Sequence, residues 1–472
     1  MIDTVKKKMN IPYKIIGFFL GIVVFFVVWF AGIPGLSPAG SHATAIALLT
    51  AIWWIFMSMP PMIPALCACV LFMVTKTASP ADSFSGFFNP TIWLLFFALV
   101  IAKGVEVSGL GKRIASIILS KVPLSFNGLV AAFIILCFIL PFIVPSAAAD
   151  VALMMALAVG IFDALGIAKD PKNKISTGLT CFVAILCLTF GRVPLTGSLP
   201  NFIAAGFLHD LAGVSLGWLD WLLSMWIIAP IPAIGTYLYI TRKYKPDVDL
   251  SREKMQENIK ATQESLGPMT VKEKKAAIYV SLAIILWAFG GFINLPLNTN
   301  QIGIIIGMLF FLPYVGFLTI KDFNQMSLVT FFFAGGSYSI GVVLTNNGFA
   351  SWAGAQLMNF GFLQNASFFT AGLFIIVFAF VLHFILETLG EVSLLTPILL
   401  KMNILPAKAV GMLLPYGAGM YLFPYQATPI VLSLGFNTTG WMDIVKYGCF
   451  LTVLGLLQGA VFLLTYWAWI LI

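Results

Sequence analysis

The sequence predicts an all-α polytopic membrane protein of about eleven transmembrane helices with two re-entrant hairpins. Three observations carry that expectation. The 472 residues are 60% apolar, 14% aromatic and only 9% charged, whereas a soluble domain holds about a quarter charged residues. Apolar runs recur along the whole chain, at lengths near the ~20 residues that one helical crossing needs. No alternating barrel pattern is present, and backbone groups in lipid must be satisfied internally, which leaves helices.

The runs fall near 13–33, 42–59, 61–75, 90–107, 126–166, 175–208, 216–240, 276–293, 301–320, 326–345, 366–400, 405–435 and 445–472. The first follows Lys6, Lys7 and Lys8 and is too long for the apolar core of a cleaved leader, so it reads as the first spanning helix. Runs 126–166 and 366–400 are interrupted at mid-depth by small, polar or acidic residues. Each reads as a hairpin that enters and leaves on one side, and eleven crossings remain. Of the 26 Lys and Arg, twenty-two then share the side of the N-terminus; Lys76, Lys401 and Lys408 lie opposite, and Arg192 falls within the membrane. That bias orients the N-terminus to the cytoplasm and the C-terminus to the outside of the cell membrane.

The polar stretch 242–275 alternates signs, from Asp247 and Asp249 through Arg252, Glu253 and Lys254 to Glu264. It reads as a solvated helical linker. The basic excess, 26 against 18, sits mainly in short loops, which argues against a nucleic-acid partner. The cysteines Cys67, Cys69, Cys137, Cys181, Cys187 and Cys449 lie in or beside apolar runs and read as small core residues. His42, His209 and His383 are dispersed, and neither a metal-ligand spacing nor a phosphate-binding loop is present. An enzyme is therefore not expected, nor is a resident cofactor.

The two halves can be superposed at four segments. The stretch 145–153, Pro-Ser-Ala-Ala-Ala-Asp-Val-Ala-Leu, parallels 386–394, Leu-Glu-Thr-Leu-Gly-Glu-Val-Ser-Leu, so that Asp150 falls on Glu391. Downstream, Gly197-Ser198-Leu199-Pro200-Asn201 parallels Gln426-Ala427-Thr428-Pro429-Ile430, and Pro200 falls on Pro429. In the topology above the first hairpin opens inward and the second outward, so the repeats are inverted. Inverted repeats with interrupted helices in matching places mark secondary transporters, with the site where the breaks meet. A helix start offers unpaired N–H groups and a dipole that favour an anion.

At these segments the chain resembles the divalent anion/sodium symporter family, the INDY-type di- and tricarboxylate carriers. The marks are the first hairpin with Met154-Met155 after it, the turn from Gly197 to Asn201, Leu394-Leu395-Thr396-Pro397-Ile398, and Ala427-Thr428-Pro429. The resemblance implies a dimerising scaffold domain and an elevator-type transport domain. It also implies a substrate held between the hairpin tips and the two unwound helices. On that plan the scaffold takes 1–125 and 276–362, the transport domain 126–242 and 363–472, and the linker 243–275. The family's tips usually read Ser-Asn-Thr; here they read Ser146-Ala147-Ala148 and Glu387-Thr388-Leu389. Sodium coupling is correspondingly not expected.

The substrate-binding set expected on this basis is Ser146, Ala147, Ala148, Thr196, Ser198, Asn201, Thr388 and Thr428, with Pro200 and Pro429 keeping the breaks open. The intramembrane ionisable residues Asp150, Arg192, His383, Glu387 and Glu391 mark a pathway or a paired network. Arg192 or His383 then supplies the positive charge that relatives obtain from sodium, or Arg192 pairs permanently with Asp150 or Glu391. His383 and Glu387 share one helix face if that arm stays helical. The function expected is exchange of small dicarboxylates such as malate, succinate, fumarate or 2-oxoglutarate. Sodium- or proton-coupled symport and an anion channel are the alternatives.

Overall fold

The computed structural model describes residues 11–144, 146–246, 250–290, 292–293 and 295–472. Lys6, Lys7 and Lys8, Pro145 at the first hairpin tip, and Asp247 and Asp249 of the linker lie outside the described residues. The described residues form helices and no strand. Among them seven helices are long and apolar enough to cross a membrane, including Pro90–Ser108, Val329–Asn346 and Trp441–Leu464. Many helix starts carry a short polar cap. Ser37, Asn89, Ser125, Ser251, Thr270, Asn298 and Ser367 each accept a hydrogen bond from a first-turn amide.

The outer surface is apolar in stripes at helical spacing. Helix Trp441–Leu464 exposes Val453, Leu457, Val461 and Leu464 and buries Thr452, Gln458, Gly459 and Phe462 on the other face. Helix Ile11–Ala31 exposes Ile16, Phe19, Val23, Val27 and Phe30 and packs by its other side on Pro38–Ile55. In water such stripes would drive association; a bilayer solvates them.

The same succession of elements occurs twice. Hairpin arms Phe126–Ile143 and Ala147–Leu165 are followed by Val183–Phe190, a break, and Leu199–Ala212. Arms Phe368–Leu382 and Thr388–Met402 are followed by Ala407–Ala418, a break, and Thr428–Leu434. Within each set the helix before the break lies on the first hairpin arm. Between the sets the packing crosses over: Thr428–Leu434 lies on Ala147–Leu165, and Leu199–Ala212 lies on Thr388–Met402.

These helices seat on Val329–Asn346 and Pro90–Ser108. Gly341 makes the approach feasible, since a Cβ there would stand 2.5 Å from the Phe207 ring and 2.7 Å from the Ser393 carbonyl. Beside it the Phe207 and Tyr338 rings stack at 4.1 Å. The Tyr338 hydroxyl donates to Asp210 Oδ2 at 2.5 Å, and Asn89 Nδ2 donates to the same oxygen at 2.8 Å.

Four sequence expectations need correction. Helices Leu110–Lys121 and Phe349–Met358 lie in stretches read as loops; the first is amphipathic, with Lys112, Arg113 and Lys121 hiding its short apolar face from a run-length reading. The linker is not wholly solvated. Its helix Arg252–Leu266 buries Met255 and packs on Leu110–Lys121 and Ala147–Leu165. Cys449 is exposed and Cys67 half-buried, so only four of the six cysteines are core residues. The fourth correction, at His383, belongs to the site.

Arg113 ties the linker's end down. It meets Glu273 at 2.6 Å and donates to the Leu266 and Gly267 carbonyls at the helix C-terminus. The Arg113 guanidinium first, with the Thr270 amide and hydroxyl, holds the buried Glu273 carboxyl down at about 2, from an ordinary 4.5. A folded value below the unfolded one stabilises above pH 4.5, and that stability is lost as pH falls toward about 2. Pepsin cleavage within 252–267 should accelerate across that window. Glu273→Gln should show faster cleavage at the top of the window already; unchanged cleavage would remove the ion pair from this role.

Candidate functional site

The two breaks have the same backbone. Pro194 and Phe423 are extended, with ψ of 144° and 143°, and each precedes a three-residue 3-10 turn, Leu195–Gly197 and Pro424–Gln426. Ser198 (φ −145°, ψ 140°) and Ala427 (φ −146°, ψ 134°) then lead into the next helix, with Pro200 and Pro429 in its first turn. Neither helix start has a side-chain cap; proline removes the second amide and the third turns back to the Ser198 or Ala427 carbonyl, so the Leu199 and Thr428 amides stay available. The hairpins also match. Ser146 and Glu387 are the N-caps of the second arms, each four residues before a buried acid, Asp150 or Glu391.

Each break is held by a different device. In the first, Asn201 is fully buried and its amide donates to the Gly191 carbonyl at 3.3 Å and the Pro194 carbonyl at 3.0 Å. In the second, Gln426 Oε1 accepts from the Leu422 and Phe423 amides at 2.7 Å, while Nε2 donates to the His383 carbonyl at 3.2 Å. Asn201 and Gln426 thus satisfy loop groups of opposite polarity. Gly191 and Gly197 cross closely: a Cβ on Gly197 would lie 2.7 Å from the Gly191 carbonyl. Gly197 also faces Pro141 of the first hairpin arm.

Arg192 joins the breaks. It is buried, and Nη1 donates to the Tyr416 carbonyl at 2.6 Å, with the guanidinium 5.5 Å from the Tyr416 ring centroid. Its backbone carbonyl accepts from Trp221 Nε1 at 3.1 Å. No carboxylate of the described residues lies within salt-bridge distance of it, so neither Asp150 nor Glu391 is its partner here. His383 does not continue its helix. The arm ends at Leu382, and Glu387 caps the next helix through Leu389 N at 2.9 Å. The shared face of His383 and Glu387 is therefore not formed. His383 Nδ1 instead meets Glu391 Oε2 across the tip at 3.1 Å, both fully buried. Both Asp150 oxygens are buried without a hydrogen-bond partner.

The expected binding residues divide by depth. Ala148 and Thr428 are exposed, as is Glu387 of the ionisable set; Ser146, Ala147, Ser198 and Pro429 are half-buried. Thr196, Pro200, Asn201 and Thr388 are buried. The Thr196 hydroxyl accepts from Trp218 Nε1 at 3.1 Å, and the Ser146 hydroxyl accepts from Ala149 N at 3.4 Å. Sequence reasoning passed over Gln426, Tyr416, Tyr421 and Trp218. Gln426 lay inside the aligned segment, where its match to Gly197 was the available signal. Tyr416, Tyr421 and Trp218 act through a carbonyl, a ring set edge-on to His383 at 5.1 Å, and an indole, none of which a motif displays.

Long apolar helices, paired hairpins and paired breaks define a polytopic membrane carrier. The chain belongs to the family described as sodium:sulfate symporter transmembrane region, whose profile matches residues 13–472. It is a transporter rather than an enzyme. It is 24% identical to the L-tartrate/succinate antiporter of Escherichia coli (strain K12), over 85% of this chain and 84% of that protein. It is 28% identical to YflS of Bacillus subtilis (strain 168), provisionally named a malate transporter, over 61% of each. A protein of Cupriavidus necator known only as a membrane protein is 25% identical over 96% of this chain and 92% of its own length. The crystal structure of the Alcanivorax borkumensis YdaH transporter shares the fold, with a TM-score of 0.54 at 12% identity, covering 96% of this chain and 97% of that one.

Proposed function

We propose that the protein exchanges small dicarboxylates across the cell membrane without sodium. The observation that carries this reading is the torsional match of the two breaks, each joined to its own hairpin and crossed onto the other's. Four helix starts offer amide donors to two carboxylates. Ser146, Ala147, Ala148, Ser198, Thr388, Thr428 and Pro429 form the part of the site that meets the diacid, and Thr196, Asn201 and Pro200 support it from below. The Arg192 guanidinium supplies fixed positive potential that a sodium ion would otherwise bring. The relatives named for malate, tartrate and succinate support a four-carbon diacid. The hairpins and breaks move as one body against the scaffold, in a homodimer whose protomers have a cytoplasmic N-terminus and an external C-terminus.

Counterflow in proteoliposomes tests this. Labelled succinate should leave loaded vesicles only when malate, fumarate or 2-oxoglutarate is supplied outside, equally with sodium or potassium. Uptake into unloaded vesicles that follows a sodium gradient would overturn it and favour the symport that the family description names. Uptake driven by a pH gradient alone would instead assign coupling to the buried His383–Glu391 pair. Thr388→Val should weaken diacid binding about tenfold, the loss of one hydrogen bond to a charged group; unchanged affinity would take Thr388 out of the site.

A further inference from the structure

Beside the breaks lies a small, partly open cavity of about 20 Å³. Arg192, Tyr416 and Tyr421 line one side, and Ile228, Leu451 and Thr452 the other. None of Ser146, Ser198, Thr388 or Thr428 reaches it. Two of its donors, one from the first break and one from helix Trp441–Leu464, are at least nine-tenths buried and uncommitted. Arg192 Nε has no hydrogen-bond partner, and neither has the Thr452 hydroxyl. The other polar groups are occupied: Thr189 donates to the Ile185 carbonyl, Tyr416 to the Gly455 carbonyl, and Gln458 to the Ile227 carbonyl.

A buried guanidinium without a counter-charge is strongly unfavourable. The groups facing it are His383 and Tyr421 as well as Tyr416, none of them a carboxylate. From the paired orphan donors and the cavity between them, we propose that this cavity is a binding site for one small monovalent anion, halide-sized, held by Arg192 and Thr452. One cation balances one negative charge. A diacid placed here would press its second carboxylate on Ile185, Ile228, Pro232 and Leu451, which offer it nothing. A halide accepts from N–H and O–H donors and tolerates apolar walls, and it is less strongly hydrated than sulfate. The site goes beyond the diacid reading, since Ser146, Ser198, Thr388 and Thr428 do not line it and it serves the carrier when no diacid is bound.

The test uses the purified full-length protein in gluconate buffer, free of dicarboxylate. Titrating chloride or bromide at constant ionic strength should raise the unfolding midpoint saturably. Thr452→Val should weaken the apparent halide affinity about tenfold, and Arg192→Gln should abolish the response. Crystals grown in bromide should show an anomalous peak between Arg192 and Thr452. A midpoint indifferent to halide, an equal response in Thr452→Val, a stronger response to sulfate, or a bromide peak elsewhere only would each overturn the proposal. Since no diacid enters the assay, a carrier that fails to exchange succinate yet keeps its bromide peak would sink the transport reading alone.

Discussion

Breaking the contact of Asp210 with Tyr338 and Asn89 should release the hairpin-bearing helices from their seat. Asp210 stands on Leu199–Ala212, while Tyr338 and Asn89 belong to the helices expected to stay still. Asn89 also donates to the Tyr338 hydroxyl at 3.0 Å, so the three side chains are mutually bonded, and His209 of the same helix meets the other Asp210 oxygen at 2.9 Å. Hydrogen bonds to a charged group contribute about 1.5–3 kcal/mol each, and Asp210 is partly exposed, which lowers that figure. Tyr338→Phe combined with Asn89→Ala should shift the balance of states by about tenfold, or ~1.4 kcal/mol. The phenylalanine keeps the stack on Phe207, so at position 338 only the hydroxyl is removed. Spin labels at Asp82 and Asp163, one on each body, should report a second distance population in the double variant. An unchanged distance distribution would show that this set does not restrain the motion.

The second large effect is expected at Gly197. A methyl group there meets the Gly191 carbonyl at 2.7 Å, the Pro194 ring at 2.8 Å and Pro141 at 3.2 Å. Two of these are tied into the loop by Asn201 and the third belongs to the first hairpin arm, so no neighbour gives way cheaply. Overpacking of this kind costs about 1–3 kcal/mol. Gly197→Ala should lower the unfolding midpoint and cut succinate exchange more than tenfold. Gly160→Ala is the matched control, because a Cβ there meets nothing within 4 Å. Equal exchange by the two variants would show that the crossing of Gly191 and Gly197 is not needed for transport.

The sequence revealed the fold class because lipid imposes one rule on every crossing, and hydropathy records it directly. It also revealed the register of the halves. Pairing Pro200 with Pro429 placed Ser198 on Ala427, and the torsions of those two residues agree within 6°. Proline and small residues mark a break because they act on the backbone they belong to. What stayed hidden depends on distant partners. Arg192 finds the Tyr416 carbonyl 224 positions away, and Tyr338 finds Asp210 at a separation of 128. His383 was assigned to a face with Glu387 because helical spacing was carried through Leu382, where the chain turns. Leu110–Lys121 was missed because its apolar stripe is too short and too interrupted by lysine to register as a run.

The hairpin caps occupy matching places but differ in charge: a serine hydroxyl at 146 and a carboxylate at 387. An anion midway between two such poles is drawn toward the first and pushed from the second. The carrier is thus electrically lopsided although its two breaks share one backbone form. Its cargo should dwell off-centre, and the hairpin bearing Glu387 should let go of it first.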